Sequence, residues 1–193
     1  MSDPAGKLIR SLARYPGVIL ARTKITPNQV TLTGLFVNCV IACFIATGRL
    51  NNFAVGFLIW AGGFFDALDG SVARAAGSMT AFGNFFDSVL DRYSDSIIYL
   101  GILIYFLKEA RTDCAILVMI AAAGSLIISY ARAKAESLGQ KCEVGLFPRT
   151  VRIITLGASF IVGQVFWGLV VIAVLSHITV LQRIIHVRNS LHK

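Results

Sequence analysis

Six runs of apolar residues, at 29 to 47, 52 to 76, 81 to 107, 113 to 131, 147 to 164 and 166 to 185, are separated by short polar or glycine-containing breaks. Each run approaches the ~20 residues that a helix needs to cross the hydrocarbon layer of a bilayer, so the pattern predicts six transmembrane helices. The break between the last two is the weakest, because only the Gly163 to Gly168 region divides them, and a single long broken segment is the other reading of that stretch. Residues 4 to 20 follow a different pattern. Leu8, Leu12, Tyr15 and Ile19 fall on one face of a helix while Lys7, Arg10 and Arg14 fall on another, as in an amphipathic helix lying in a membrane interface. Asp3 is placed to cap that helix and Pro4 to open it, whereas Pro16 is expected to kink or end it.

Composition supports the membrane reading. The 193 residues are 56% hydrophobic and only 15% charged, too apolar for an ordinary soluble domain of this size. No repeat, low-complexity tract or linker divides the chain, which predicts one all-α polytopic membrane domain over 1–193, with a juxtamembrane helix over 1–24 and a transmembrane bundle over 25–193. Val18-Ile19-Leu20 is too short for the apolar part of a secretory leader.

Basic residues refine the topology. Lys7, Arg10, Arg14, Arg22 and Lys24 precede the first run, Arg132, Lys134, Lys141, Arg149 and Arg152 follow the fourth, and Arg183, Arg188 and Lys193 end the chain. Only Arg49, Lys108 and Arg111 fall in the other breaks. Short cytoplasmic loops accumulate Lys and Arg, so both termini are expected in the cytoplasm of a multi-pass cell-membrane protein. The net charge of +8 then reflects this bias and attraction to anionic lipid headgroups, not nucleic-acid binding. Cys39, Cys43, Cys114 and Cys142 have no paired spacing and read as packing residues, and His177, His186 and His192 have no ligand spacing.

Aspartates break the apolar pattern. Asp66 and Asp69 lie on one side of the second predicted span, and Gly83, Asp87, Asp91 and Asp95 step by four along the third. Two antiparallel neighbours joined by the few residues from Gly77 to Thr80 would face each other across a shared acidic cavity near their cytoplasmic ends. Caps or pairs with Arg74 and Arg92 would explain single acids. Five together cost more, since each unpaired carboxylate in a membrane interior costs on the order of 2.5 to 3.5 kcal/mol on insertion scales. A cationic occupant is therefore expected, and Mg²⁺, which takes a few carboxylates together with phosphate oxygens, fits. Paired ions of this kind serve phosphoryl transfer.

The spacing Asp66-x2-Asp69-Gly70-x2-Ala73-Arg74-x8-Gly83-x3-Asp87-x3-Asp91 resembles the signature of the CDP-alcohol phosphatidyltransferase family at every specified position, eight residues over 26. The segment ITPNQVT, Ile25 to Thr31, resembles that family's entry into its first membrane helix. The resemblance implies that a hydroxyl attacks the phosphorus next to the lipid of a CDP-linked lipid and releases CMP. It implies that Asp66, Asp69, Asp87 and Asp91 hold two divalent cations, Mg²⁺ with Mn²⁺ able to substitute, and that Asp91 stands at the position of the general base. Asn28, Thr31, Asp69, Gly70, Ala73, Arg74, Thr80 and Gly83 would contact the nucleotide, and a homodimer is implied. From the residues alone, Arg74 can grip phosphate through two parallel hydrogen bonds. The small side chains of Gly70, Ala73 and Gly83 admit either a nucleotide or a neighbouring helix. Thr26, Pro27 and Asn28 also make a good helix start. A metal-bound carboxylate is a weakened base, so Asp91 either takes the proton or only orients the hydroxyl. Asp95 lies outside the signature and either reaches the same cavity or answers Arg92.

For the acceptor alcohol, Arg132, Lys134, Arg149 and Arg152 form a candidate phosphate-binding cluster, although cytoplasmic loops collect basic residues for topological reasons as well. The pattern resembles the branch of the family that uses inositol phosphate, making phosphatidylinositol phosphate or its archaeal ether-lipid counterpart. The chain departs from that branch at Ala131-Arg132 and at Phe147-Pro148. Glycerol 3-phosphate is the alternative acceptor. An ion or proton transporter using the acidic cavity is the alternative from another class, but such proteins use broken helices in repeated halves, and no repeat is visible.

Overall fold

The computed structural model describes residues 4–21, 26–75 and 80–191, and is helical throughout its regular structure. Seven helices run in order: α1 (Pro4–Ala21), α2 (Pro27–Thr47), α3 (Asn52–Ala75), α4 (Ala81–Lys108), α5 (Thr112–Ser137), α6 (Arg149–Ile161) and α7 (Val165–Leu191). Of these, α2, α5 and α7 are each long and apolar enough to cross a membrane by length and composition, and α3 carries a shorter apolar stretch, Asn52–Leu68.

Local chemistry sets the helix ends. Thr26 opens α2 with a reciprocal cap in which its hydroxyl accepts from the Gln29 amide and the Gln29 side chain accepts from the Thr26 amide at 2.8 Å. Gly48, in the left-handed region at φ 65°, closes the same helix. Thr80 caps α4 by accepting from the Gly83 amide at 2.9 Å. Between α6 and α7 the chain turns at Gly163, φ 69°, so the last apolar stretch is two helices and not one broken segment.

Three expectations need correction. Helix α1 does not end at Pro16 but continues to Ala21. Pro16 removes one amide donor, yet Ala13 and Gly17 beside it are buried, and a Cβ on Gly17 would lie 2.7 Å from Ser71 Cβ, so packing against α3 offsets the lost bond. The fourth span is longer than its apolar run: α5 extends to Ser137, which puts Arg132 and Lys134 on a helix and not in a loop. The fifth is shorter. With 13 residues, α6 rises only about 20 Å at 1.5 Å per residue. Asp3 and the 22–25 and 76–79 connections lie outside the described residues.

The main core joins α2, α4, α5, α6 and α7 around Ile41, Ile102, Val118, Phe160, Leu169 and Ile172, all nearly inaccessible. Helix α2 packs against both α3 and α4, whereas α3 and α4 hardly touch each other among the described residues and face one another across the space that holds Asp66, Asp91 and Asp95. Helix α6 approaches α3 closely at a pair of glycines. A Cβ on Gly157 would lie 2.9 Å from the Gly56 carbonyl oxygen, and Trp60 Nε1 donates to the Ile154 carbonyl at 3.1 Å. This contact sets the first turn of α6 beside Asp66 of α3.

Candidate active site

Helices α2, α3, α4 and α6 enclose the acidic residues. Asp66 reaches toward α2, where Asn38 Nδ2 donates to its Oδ1 at 3.2 Å and where Gly34 leaves room, since a Cβ there would sit 3.1 Å from that oxygen. Asp91 and Asp95, one turn apart on α4, point into the same space. A small cavity beside them is lined by Asn38, Asp66, Ser94, Asp95, Tyr99 and Arg152, with Ile59, Ile98, Ile153 and Leu156 as its apolar wall.

Arg149, the first residue of α6, binds three of the carboxylates. Its Nη2 lies 2.6 Å from Asp66 Oδ2, its Nη1 2.7 Å from Asp91 Oδ1, and its Nη2 3.0 Å from Asp95 Oδ1, with Nε also donating to Asp95 Oδ1 at 3.0 Å. Arg152, one turn along, is buried at 3% exposure, donates from Nη1 to the Phe147 carbonyl at 3.3 Å, and faces Asp95 Oδ2 at 3.5 Å. Its Nη2 has no hydrogen-bond acceptor among the described residues. The α6 N-terminus adds to this positive region, because Pro148 supplies no side-chain cap to the first-turn amides.

The structure therefore unites Asp66, Asp91, Asp95, Arg149 and Arg152. Asp87 belongs to the same electrostatic field as Asp91. Asn28, Thr80 and Gly83 meet at the start of α4, where a Cβ on Gly83 would lie 3.0 Å from Thr80 Oγ1 and 3.6 Å from Asn28 Oδ1. Thr31 is nearly buried, its hydroxyl donating to the Pro27 carbonyl at 3.1 Å. Asp69, Gly70, Ala73 and Arg74 stand on the last turns of α3, and their side chains lie outside the described residues. Arg132 and Lys134 are not brought to the aspartates: both are exposed, and Arg132 pairs with Glu136 at 2.8 Å. Arg92 answers the Ser88 carbonyl and not Asp95.

Two participants were not singled out from the sequence. Asn38 is an amide inside an apolar run, buried at 4% exposure, and that isolation is the signal that could have found it. Arg183 reads as a tail residue by topology, yet it is buried and donates to the Ile128 and Val144 carbonyls, at 2.5 and 3.0 Å. Its position on a helix otherwise rich in apolar residues was the available cue.

Among the described residues no three carboxylates form a ready ligand set for a metal. Their charge nevertheless calls for one. Asp91 feels the charges of Asp66, Asp87 and Asp95, while Arg149 and Arg152 supply cations among these acids. Four carboxyl groups thus gather around two guanidiniums, and a pocket so rich in oxygen donors suits a hard divalent cation.

Comparison with known proteins agrees with this chemistry. Residues 24–185 match the family model described as CDP-alcohol phosphatidyltransferase. The archaetidylinositol phosphate synthase of Methanothermobacter thermautotrophicus is 38% identical over 186 residues, covering 93% of this chain and 92% of that protein. The phosphatidylinositol phosphate synthase of Mycobacteroides abscessus is 36% identical over 180 residues, covering 89% of this chain and 81% of the other. Among solved structures, the Mycobacterium tuberculosis phosphatidylinositol phosphate synthase with CDP-DAG bound superimposes with a TM-score of 0.80 at 29% identity, covering 94% of each chain. The same enzyme in complex with manganese and citrate gives a TM-score of 0.82 at 30% identity, covering 91% of this chain and 88% of that one. With the aspartate signature, the helical fold and near full-length similarity in agreement, the chain belongs to the CDP-alcohol phosphatidyltransferase family.

Proposed function

We propose that this enzyme transfers a phosphatidyl-type group from a CDP-linked lipid to a hydroxyl of inositol phosphate, releasing CMP, as a step of phospholipid biosynthesis. The observation that carries the acceptor assignment is the cation pair at the start of α6. Arg149 and Arg152 are turned into the aspartate site, and the buried Nη2 of Arg152 makes no hydrogen bond among the described residues, facing Asp95 Oδ2 only at ion-pair distance, 3.5 Å. A buried guanidinium donor is costly to leave unmatched, and a phosphate oxygen would match it. The synthases named above supply the same reading, since both make inositol phosphate lipids by name and the solved enzyme binds CDP-DAG.

Asp66, Asp69, Asp87 and Asp91 would hold two divalent cations, Mg²⁺ or Mn²⁺, in keeping with the carboxyl oxygens gathered at the site and with manganese in the solved relative. Such cations would neutralise the pyrophosphate of the donor. The chain's own residues do the rest. Asn28, Thr31, Gly70, Ala73, Arg74, Thr80 and Gly83 receive the nucleotide, Arg149 and Arg152 orient the acceptor, and Asp91 receives the proton of the attacking hydroxyl. The oxygen–phosphorus bond to the lipid phosphate forms as the bond to the CMP oxygen breaks.

In the membrane, α2 to α7 would form the six spans and α1 would lie in the interface. Leu8, Leu12, Tyr15 and Ile19, all more than half exposed, would dip into the lipid. Because α6 rises only about 20 Å, its first turn would sit below the cytoplasmic surface, recessing the acceptor site. Both termini would face the cytoplasm, and the enzyme would act as a homodimer.

The test is CMP release by purified protein supplied with CDP-lipid, Mg²⁺ and a panel of alcohols: inositol phosphate, glycerol 3-phosphate, inositol and serine. Release is expected with inositol phosphate and is expected to stop in excess chelator. Preference for glycerol 3-phosphate would replace the acceptor, full turnover in chelator would remove the metals, and ion flux without CMP release would point to transport.

A further inference from the structure

The position of Asp95 is at odds with simple electrostatics. If Arg149 and Arg152 bind an acceptor phosphate, a carboxylate between them repels the ligand and should weaken binding. Yet Asp95 uses both of its oxygens on this pair: Oδ1 takes Nε and Nη2 of Arg149, each at 3.0 Å, and Oδ2 faces Arg152 Nη2 at 3.5 Å. Of Asp66, Asp91 and Asp95, it is the one that reaches both arginines. Its side chain is 16% exposed and lines the cavity shared with Asn38, Tyr99 and Arg152.

Geometry explains what such a residue does. A guanidinium is a planar fork, and holding it by the Nε edge fixes the plane and the direction of the remaining donors. Asp95 grips Arg149 along its Nε–Nη2 side, which leaves Nη1 directed to Asp91 Oδ1, 2.7 Å away, at the position where the acceptor hydroxyl would be activated. The other oxygen of Asp95 faces Arg152, whose Nη1 donates to the Phe147 carbonyl. Flexible arginines would lose rotamer freedom on binding a phosphate, and a fixed pair loses less.

We infer that Asp95 is a positioning residue for acceptor recognition: it locks Arg149 and Arg152 into one phosphate-binding fork, and this orientation outweighs the repulsion of its own charge. The inference rests on the proposed acceptor site.

The experiment separates orientation from charge by sign. Wild-type enzyme is first assayed with phosphorylated and unphosphorylated alcohols. Acceptor KM and CDP-lipid KM are then measured for Asp95→Asn, Arg149→Gln and the double variant, each with the alcohol that wild type uses best. Orientation predicts that Asp95→Asn raises the acceptor KM roughly tenfold, the scale of one charged hydrogen bond, while the CDP-lipid KM stays within about twofold. It also predicts that the Asp95→Asn effect largely disappears in the Arg149→Gln background, because the two residues act as one unit. Repulsion alone predicts a lower acceptor KM in Asp95→Asn, and that result, or additive effects in the double variant, overturns the inference. If Asp95→Asn does not fold, Asp95→Glu keeps the charge but misplaces the fork by one methylene. It should raise the acceptor KM and leave the CDP-lipid KM unchanged, and an unaltered acceptor KM there also overturns the inference. A wild-type preference for an unphosphorylated alcohol refutes the acceptor assignment and the phosphate fork with it, whereas a preference for a phosphorylated alcohol with additive Asp95 and Arg149 effects overturns the inference alone.

Discussion

Two pairs of basic residues lie within one stretch of chain, Arg132 with Lys134 and Arg149 with Arg152, and they have opposite fates. The first pair stays on the exposed end of α5, where Arg132 forms an i,i+4 pair with Glu136 at 2.8 Å. The second opens α6 and turns inward onto Asp66, Asp91 and Asp95. Charge and local sequence do not distinguish the pairs; the packing of their helices does. Helix α6 is drawn to α3 where Gly56 and Gly157 let the backbones approach, and this places Arg149 at the carboxylates. A basic residue of this chain thus acquires a role in the site from what its helix packs against.

The contrast is broken most directly by removing the acids. Asp66→Asn and Asp91→Asn each take away a partner of Arg149 and a proposed metal ligand together. Turnover should fall by roughly a hundredfold or more, the scale on which acid–base groups contribute. The check is CMP release, with the melting temperature in detergent showing that the fold persists. Wild-type turnover in either variant would remove that residue from the site.

Arg149→Gln tests the inward pair. Loss of a charged hydrogen bond worth about 1.5–3 kcal/mol predicts a fall of roughly ten- to a hundredfold in kcat/KM for the acceptor. The CDP-lipid KM should change little, because the nucleotide would be received by α2, α3 and the start of α4. An unaltered acceptor KM would place the phosphate elsewhere.

What could be read from the sequence follows from range. The helices, the Thr26 start of α2 and the break at Gly163 depend on residues a few positions apart, and each was legible. So was the aspartate spacing, which lies within two helices. The partners were not legible. Asn38 meets Asp66 across 28 positions, and Arg149 meets Asp95 across 54. No periodicity along the chain encodes such contacts. The length of α5 escaped for another reason: the Ala-Lys-Ala-Glu sequence after the apolar run favours helix without being apolar, so a search for membrane spans ends too early. Helix α1 runs past Pro16 because packing on α3 outweighed the local cost of the proline.

Packing itself can be tested at the glycine contact. Gly157→Ala would put a Cβ 2.9 Å from the Gly56 carbonyl oxygen and against Trp60, so α6 must shift. Overpacking of this kind costs about 1–3 kcal/mol. The expected outcome is a lower melting temperature together with a higher acceptor KM, because α6 carries Arg149. A drop in stability with no change in acceptor KM would separate the helix contact from the site.

The smallest effect is expected at the outward pair. Arg132 and Glu136 are each about half exposed, at 49% and 50%, and exposed pairs of this type contribute roughly 0.2–1 kcal/mol. Arg132→Gln should therefore leave the melting temperature nearly unchanged. If Arg132 and Lys134 serve only topology and headgroup attraction, Arg132→Gln and Lys134→Gln should also keep the acceptor KM within about threefold of wild type, less than half a decade by the rule of about 1.4 kcal/mol per tenfold. The measurement has a sharper use as well. Arg183 is buried and feels the charges of both Arg132 and Arg152, so it stands as an electrostatic neighbour common to the two pairs. Should Arg132→Gln raise the acceptor KM as much as Arg149→Gln does, the acceptor site would extend to the end of α5, and the division between the two pairs would fall.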